Sequence, residues 1–257
     1  MGLTGKTKAN TYKDLLEIDN SNSGVDATLR SIKSGDGTSM PIKVSKDKIV
    51  FQPTTADSTT AIEFKDYDGN SKFVFDSTND LFTTLGHKVN TQYAYFGLNN
   101  NSSALSANTH YAIPFGSTDV SFATSIGTGT NPDTSYTVAI TASGLLTDLW
   151  YLSNNITIDA VHFFVGADAA TGDTIRCHLM SYDIDTSNSA TGGDLSNGTV
   201  LADGADIVSA GYEQIYYQSM TIQSSNVNSG KAILFVFRQD GTNSDYTVSA
   251  SIKYSLR

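Results

Sequence analysis

The chain has 257 residues, enough for one large or two ordinary domains. Only 16% of them are charged, and Ser, Thr, Asn and Gly take the polar positions that solvated helices would give to Glu, Lys, Gln and Arg, so the composition favours strands and turns. The net charge of −10 is uneven: residues 1–88 hold 11 Lys/Arg against 12 Asp/Glu, and residues 89–257 hold 5 against 14, an acidic balance that argues against a nucleic-acid partner.

The chain opens on a polar stretch, Met1–Tyr12, without the apolar region of a signal peptide. No run approaches the roughly 20 apolar residues that a membrane-spanning helix needs. The expectation is a protein folded in a cytoplasm, with no membrane insertion. Residues 1–24 carry one apolar patch, Leu15, Leu16 and Ile18, suited to two turns of helix or a short strand. The segment is too small to fold alone, so its expected use is docking onto another surface.

Residues 25–76 read as short strands between turns. Runs occur at Val25–Ile32, Pro41–Val44, Lys48–Gln52, Ala61–Lys65 and Lys72–Phe75. Ile42 and Val44 share a face, as do Ile62 with Phe64 and Phe73 with Phe75, so each strand offers one apolar and one polar side. About fifty residues with so few apolar side chains bury too little to stand alone. Identical neighbouring chains would supply the missing cover, and three-fold symmetry suits an elongated stalk. Residues 77–90 read as a connector, with Gly86 as its natural break.

Residues 89–257 carry regularly spaced strand patterns: Thr91–Phe96, His110–Phe115, Ser135–Ile140, Asp148–Leu152, Ile156–Val165, Thr174–Tyr182, Glu213–Ile222, Lys231–Phe237 and Tyr246–Tyr254. Their number and spacing predict an all-β protein whose C-terminal part is a jelly-roll-like β-sandwich. Ala232–Phe237 is apolar on both faces, which predicts a central strand.

No catalytic, cofactor-binding or metal-binding residue is singled out. Asp66-x-Asp68-Gly69-Asn70 echoes a calcium loop, but the twelfth position is Ser77 rather than the bidentate Glu such a loop needs, and a hairpin turn explains it better. His87, His110, His162 and His178 show no metal-ligand spacing; His162 and His178 lie on separate strands that are free to meet in space. Gly127-x-Gly129 has no following helix and so makes no phosphate cradle. Cys177 alternates with Ile175 and Leu179 as a buried small hydrophobe would. The C-terminal part is rich in aromatics (Tyr93, Tyr95, Phe96, Tyr111, Tyr212, Tyr216, Tyr217, Tyr246, Tyr254), which serve either a core or the binding of a glycan or host surface protein.

The run Thr11-Tyr-Lys-Asp-Leu-Leu-Glu-Ile-Asp-Asn-Ser-Asn-Ser-Gly-Val-Asp-Ala-Thr-Leu-Arg30 resembles the start of fibre-type virion proteins of tailed bacteriophages. Ser34–Ser45 is similar to their Gly-x-Gly-Thr-Ser turn-and-strand units, and Ile62–Asp76 to their stalk hairpins. The resemblance covers about residues 10–80. It implies a homotrimer with an attachment segment (1–24), a β stalk (25–88) and a distal head (89–257), partnered by other tail or capsid proteins, with no catalytic residues. Two further readings stand beside the fibre: a capsid decoration (cement) protein and a glycan-degrading spike enzyme.

Overall fold

The computed structural model describes residues 14–21, 23–99, 105–116, 123–128, 142–167, 172–241 and 246–257. The strand expected at Ser135–Ile140 lies outside them. The chain divides into two compact units, Met1–Val89 and Asn90–Arg257. Among the described residues the regular structure is β-strand, with a single 3₁₀ turn at Ala142–Thr147.

The first unit holds two antiparallel meanders. One is β1 (Leu16–Ile18), β2 (Arg30–Ser34), β3 (Ser39–Val44) and β4 (Ile49–Phe51), paired in chain order. Of the two conformations open to Leu15–Ile18, the strand forms, and β1 docks along β2 at the sheet edge rather than standing apart. The second meander is β5 (Ile62–Lys65), β6 (Ser71–Asp76), β7 (Leu81–Thr84) and β8 (His87–Lys88). Its first hairpin closes through Asp66, whose carboxylate accepts the backbone N–H of Asp68 at 3.1 Å and of Asn70 at 2.8 Å and pairs with Lys72 at 2.8 Å. Gly69, at φ +84°, makes the left-handed turn, so the Asp-rich loop is turn chemistry.

Residues 77–90 form structure where a connector was expected. β7 pairs with β6, and β7 and β8 close through a two-residue turn with Leu85 at φ +50° and Gly86 at φ +79°. Two consecutive positive φ values are the type I′ turn that matches strand twist. Leu-Gly is an unusual sequence for it, which hides the hairpin from pattern reading.

The second unit contains β9 (Thr91–Asn99), β10 (Thr109–Ile113), β11 (Thr124–Thr128), β12 (Trp150–Tyr151), β13 (Ile156–Ala167), β14 (Thr174–Ile184), β15 (Leu195–Asp203), β16 (Ile207–Val208), β17 (Gln214–Ser219), β18 (Thr221–Ile222), β19 (Asn226–Val227), β20 (Lys231–Gln239) and β21 (Tyr246–Leu256). One sheet runs β17-β13-β21-β9 and the other β11-β10-β20-β14-β15-β18. Take the long strands β9, β10, β13, β14, β15, β17, β20 and β21 as 1 to 8. The sheets then read 6-3-8-1 and 2-7-4-5, the two interlocked Greek keys of a jelly roll.

Alternation builds the core between the sheets. Val161, Phe163 and Val165 of β13 and Val248, Ala250 and Ile252 of β21 point inward against Ile175, Cys177 and Leu179 of β14 and Phe235 and Phe237 of β20. Strand β20 lies between β10 and β14 and is buried on both faces, as its unbroken apolar run predicts. Its other face, with Leu234 and Val236, joins Met180, Tyr182 and Leu145 of the 3₁₀ turn in a second apolar layer outside the sheet. Strand β15 escapes pattern reading because Asn197, at φ +53°, and two bulges against β14 break its alternation.

Candidate interaction surfaces

The first unit has an unusual distribution of apolar side chains: every buried hydrophobic residue among the described ones belongs to the second unit. In the β5–β8 sheet, Ile62 faces Phe75 and Phe64 faces Phe73 across the first pair, and Phe75 faces Phe82 across the next. All five therefore share one face, where they line a groove of about 420 Å³. Phe73 is the middle ring, edge-on to Phe64 at 6.3 Å and stacked on Phe82 at 5.9 Å. The four phenylalanines are 39% to 62% exposed, while Lys72, Val74 and Asp76 on the opposite face of β6 are the more covered. This inverts the usual apolar-in, polar-out arrangement of a half-buried sheet.

The β1–β4 sheet repeats the theme. Ile42 pairs with Phe51 and Val44 with Ile49, and Ile49 and Phe51 are exposed. The expected stalk-packing residues Ile42, Val44, Ile62, Phe64, Phe73 and Phe75 thus lie on two sheet faces, which Ile49, Phe51 and Phe82 complete. Ile49 and Phe51 carry a readable alternation; Phe82 is isolated in a stretch without a strand pattern. Of the docking patch, Leu15 and Leu16 are exposed and Ile18 is half-buried.

In the jelly roll the structure sorts the aromatics. Phe96, Tyr111 and Tyr246 are core residues; Tyr93, Tyr95, Tyr212 and Tyr217 are exposed. The outer face of the β17-β13-β21-β9 sheet gathers several of these. Its register sets Ser219, His162, Ser251 and Tyr95 in one row, and Tyr217, Phe164, Ser249 and Gly97 in the next. The third row is Ile215, Gly166, Thr247 and Asn99. Phe164 and Tyr217 pack at 5.1 Å, the His162 ring stacks on Tyr217, and the Tyr217 hydroxyl and His162 Nδ1 lie 3.0 Å apart. At the other edge Tyr93 and Tyr95 lie nearly parallel, 6.5 Å apart. A depression of about 390 Å³ beside Tyr95 reaches Asn99, Gly116, Thr247 and Ser249.

The titratable groups with marked shifts are sealed inside. His162 does not meet His178; the histidine that does is His110, with ring centroids 5.2 Å apart. Burial holds the His178 pKa down to about 3, helped by electrostatic repulsion from the neighbouring His110, Arg176 and Arg238. Neither of its ring nitrogens has a hydrogen-bond partner among the described residues. Asp148, 1% exposed, is pushed up to about 6 by burial against the hydrogen bonds of the Thr124 and Thr147 hydroxyls. Burial likewise raises the Cys177 thiol well above its ordinary range, leaving no nucleophile there. Among the described residues no group of three His, Cys, Asp or Glu side chains is placed to hold a metal ion.

No family model and no curated protein matches the chain. Among solved structures, an α-amino acid ester hydrolase labelled with selenomethionine aligns over 43% of this chain and 25% of its own, at 10% identity and a TM-score of 0.25. The CBM22-1–GH10 modules of the N-terminal Clostridium thermocellum endo-1,4-β-D-xylanase 10B, complexed with xylohexaose, align over 42% of this chain and 18% of their own, at 18% identity and a TM-score of 0.22. The chain spans a quarter or less of those proteins, and likenesses this slight bear on neither its fold nor its activity.

Proposed function

We propose that the chain is a non-enzymatic structural protein of a virus particle, assembled in a host cytoplasm. It is a trimeric, fibre-like appendage of a tailed bacteriophage. The segment bearing Leu15, Leu16 and Ile18 attaches it to other tail or capsid proteins, the two meanders form a shared stalk, and the jelly roll is the head that meets a host surface. One observation carries this reading: two sheets expose their aromatic and aliphatic faces in a single chain, beside a head that buries a full core of its own. Apolar faces of this kind are stable in water when another surface covers them. Further copies of the chain supply the same faces in register, and three around one axis leave none uncovered. Several heads per particle then turn weak contacts into firm attachment.

The decisive measurement is the mass of the purified full-length protein in solution. About three chains supports the appendage; a stable monomer overturns it. Deleting residues 1–24 is expected to abolish incorporation into particles while leaving the head folded, and normal incorporation of the shortened protein refutes the docking role. A broad head surface also suits a capsid decoration protein. That role places the outer face of β17-β13-β21-β9 against the shell, where cross-linking in intact particles would find it.

A further inference from the structure

On the outer face of the β17-β13-β21-β9 sheet, two aromatic walls flank a floor of small side chains. One wall is Phe164 with Tyr217, beside Ile215; the other is Tyr95 with Tyr93. Between them β21 contributes Thr247, Ser249 and Ser251, and glycines stand beside it at Gly166 on β13 and Gly97 on β9. From β13 across β21 to β9 is two strand spacings, so the trough is roughly 10 Å wide. Substituting either glycine would add side chain to that floor; a Cβ on Gly166 would already touch the Thr247 side chain at 3.6 Å.

We infer that this trough is a binding site for a neutral glycan chain. The inference rests on the head being the part that meets a host surface. Tyr95 and Tyr217 are more than half exposed although one side of each ring is turned to a neighbour, Tyr93 and His162, which leaves the other side for the C–H face of a sugar ring. The floor supplies hydroxyls and, at its end, the Asn99 amide, groups that both donate to and accept from sugar hydroxyls. Charge selects the class of ligand. The three rows contain no Asp, Glu, Lys or Arg, although the chain as a whole carries −10. One cation, Lys253, stands past the first row opposite Tyr93; an acidic glycan would meet that single charge at the end of the trough within a chain of net −10, whereas an uncharged one loses nothing on approach. A protein partner of comparable affinity is expected to bury a well-packed central cluster; here the centre is small and hydroxylated and the rings stand at the sides.

The test is retention of the full-length protein on immobilised maltohexaose, cellohexaose, mannohexaose and uncharged bacterial O-polysaccharides, with polysialic acid and heparin as anionic comparators. Binding to at least one neutral glycan is expected. Tyr95→Ala and Tyr217→Ala should each weaken it at least tenfold, as removal of a central contact residue does. Tyr67→Ala, at an exposed hairpin tip in the other unit, should change nothing. Both wall positions are exposed, so melting temperatures should match the parent; Phe164→Leu is the second variant if Tyr217→Ala unfolds. No retention on any neutral glycan, retention on the anionic ones alone, or retention indifferent to both wall substitutions overturns the site. Any of these leaves the solution mass untouched, so loss of the glycan site and loss of the trimeric appendage are separately visible.

Discussion

Replacing Phe73 by Asp tests the stalk at its centre. Phe73 sits in the middle strand of its meander, touching Phe64 on one side and Phe82 on the other. With side chains of roughly 200 Å² each, the half-exposed rings of Phe64, Phe73, Phe75 and Phe82 leave on the order of 400 Å² of aromatic surface per chain. At about 25 cal/mol per Å², covering it is worth roughly 10 kcal/mol per chain before the entropy of association is subtracted. Phe73 alone contributes about 2 kcal/mol of this, and an Asp in its place would bring like charges together in a dry interface, a further cost of several kcal/mol. In a lone chain the same substitution removes a ring that is 44% exposed and costs about 1 kcal/mol. The expected outcome in sedimentation or native mass spectrometry is a fall from about three chains to one, with the head still cooperatively folded. Tyr67→Asp carries the same charge change at a fully exposed position and should keep the parent mass. If Phe73→Asp, and then Phe51→Asp with Phe73→Asp, both retain the parent mass, the exposed faces are not what joins the chains.

The head should respond to acid through two opposed groups. His178 has its pKa lowered from 6.5 to about 3, so its neutral, buried form contributes stability above pH 6.5 that is lost as pH falls toward 3; at about 1.4 kcal/mol per unit, some 3 kcal/mol is gone by pH 4. Asp148 has its pKa raised from 3.8 to about 6, so its burial costs roughly 3 kcal/mol above pH 6, a penalty relieved as pH falls to 4. Denaturant titrations at pH 7 and pH 4 should therefore show His178→Leu gaining stability on acidification and Asp148→Asn losing it, relative to the parent; equal slopes for all three would refute the assignment. Phe235→Ala, at the centre of both the β20 strand and the inter-sheet core, should cost the head about 3–5 kcal/mol in urea unfolding. Cys177 should stay inert to a thiol reagent in the native protein and react only after unfolding, and labelling as fast as a free peptide thiol would contradict its burial.

Much of the fold was legible because strands announce themselves locally. The alternation of Val248, Ala250 and Ile252, the two-faced apolar run of Ala232–Phe237 and the paired residues Ile62 with Phe64 and Phe73 with Phe75 each state which side chains share a face. They do so because successive strand residues point to opposite sides. Composition and strand spacing carried the all-β class and the jelly-roll expectation. The pattern failed where the backbone departs from regular pleating: at β15, broken by Asn197 and bulges, and at the Leu85-Gly86 turn, whose type depends on dihedral angles that Leu does not advertise. Only the tertiary structure decided the order of strands within each sheet, since pairing joins β9 to β21 and β13 to β17 across long stretches of chain that no local period records. It also decided which tyrosines are core and which stand in the open, because a residue's exposure depends on what packs over its sheet. The same dependence explains the meanders: the sequence marks an apolar face on each strand, and that no apolar side chain among the described residues of this unit is buried emerges only when the strands are assembled.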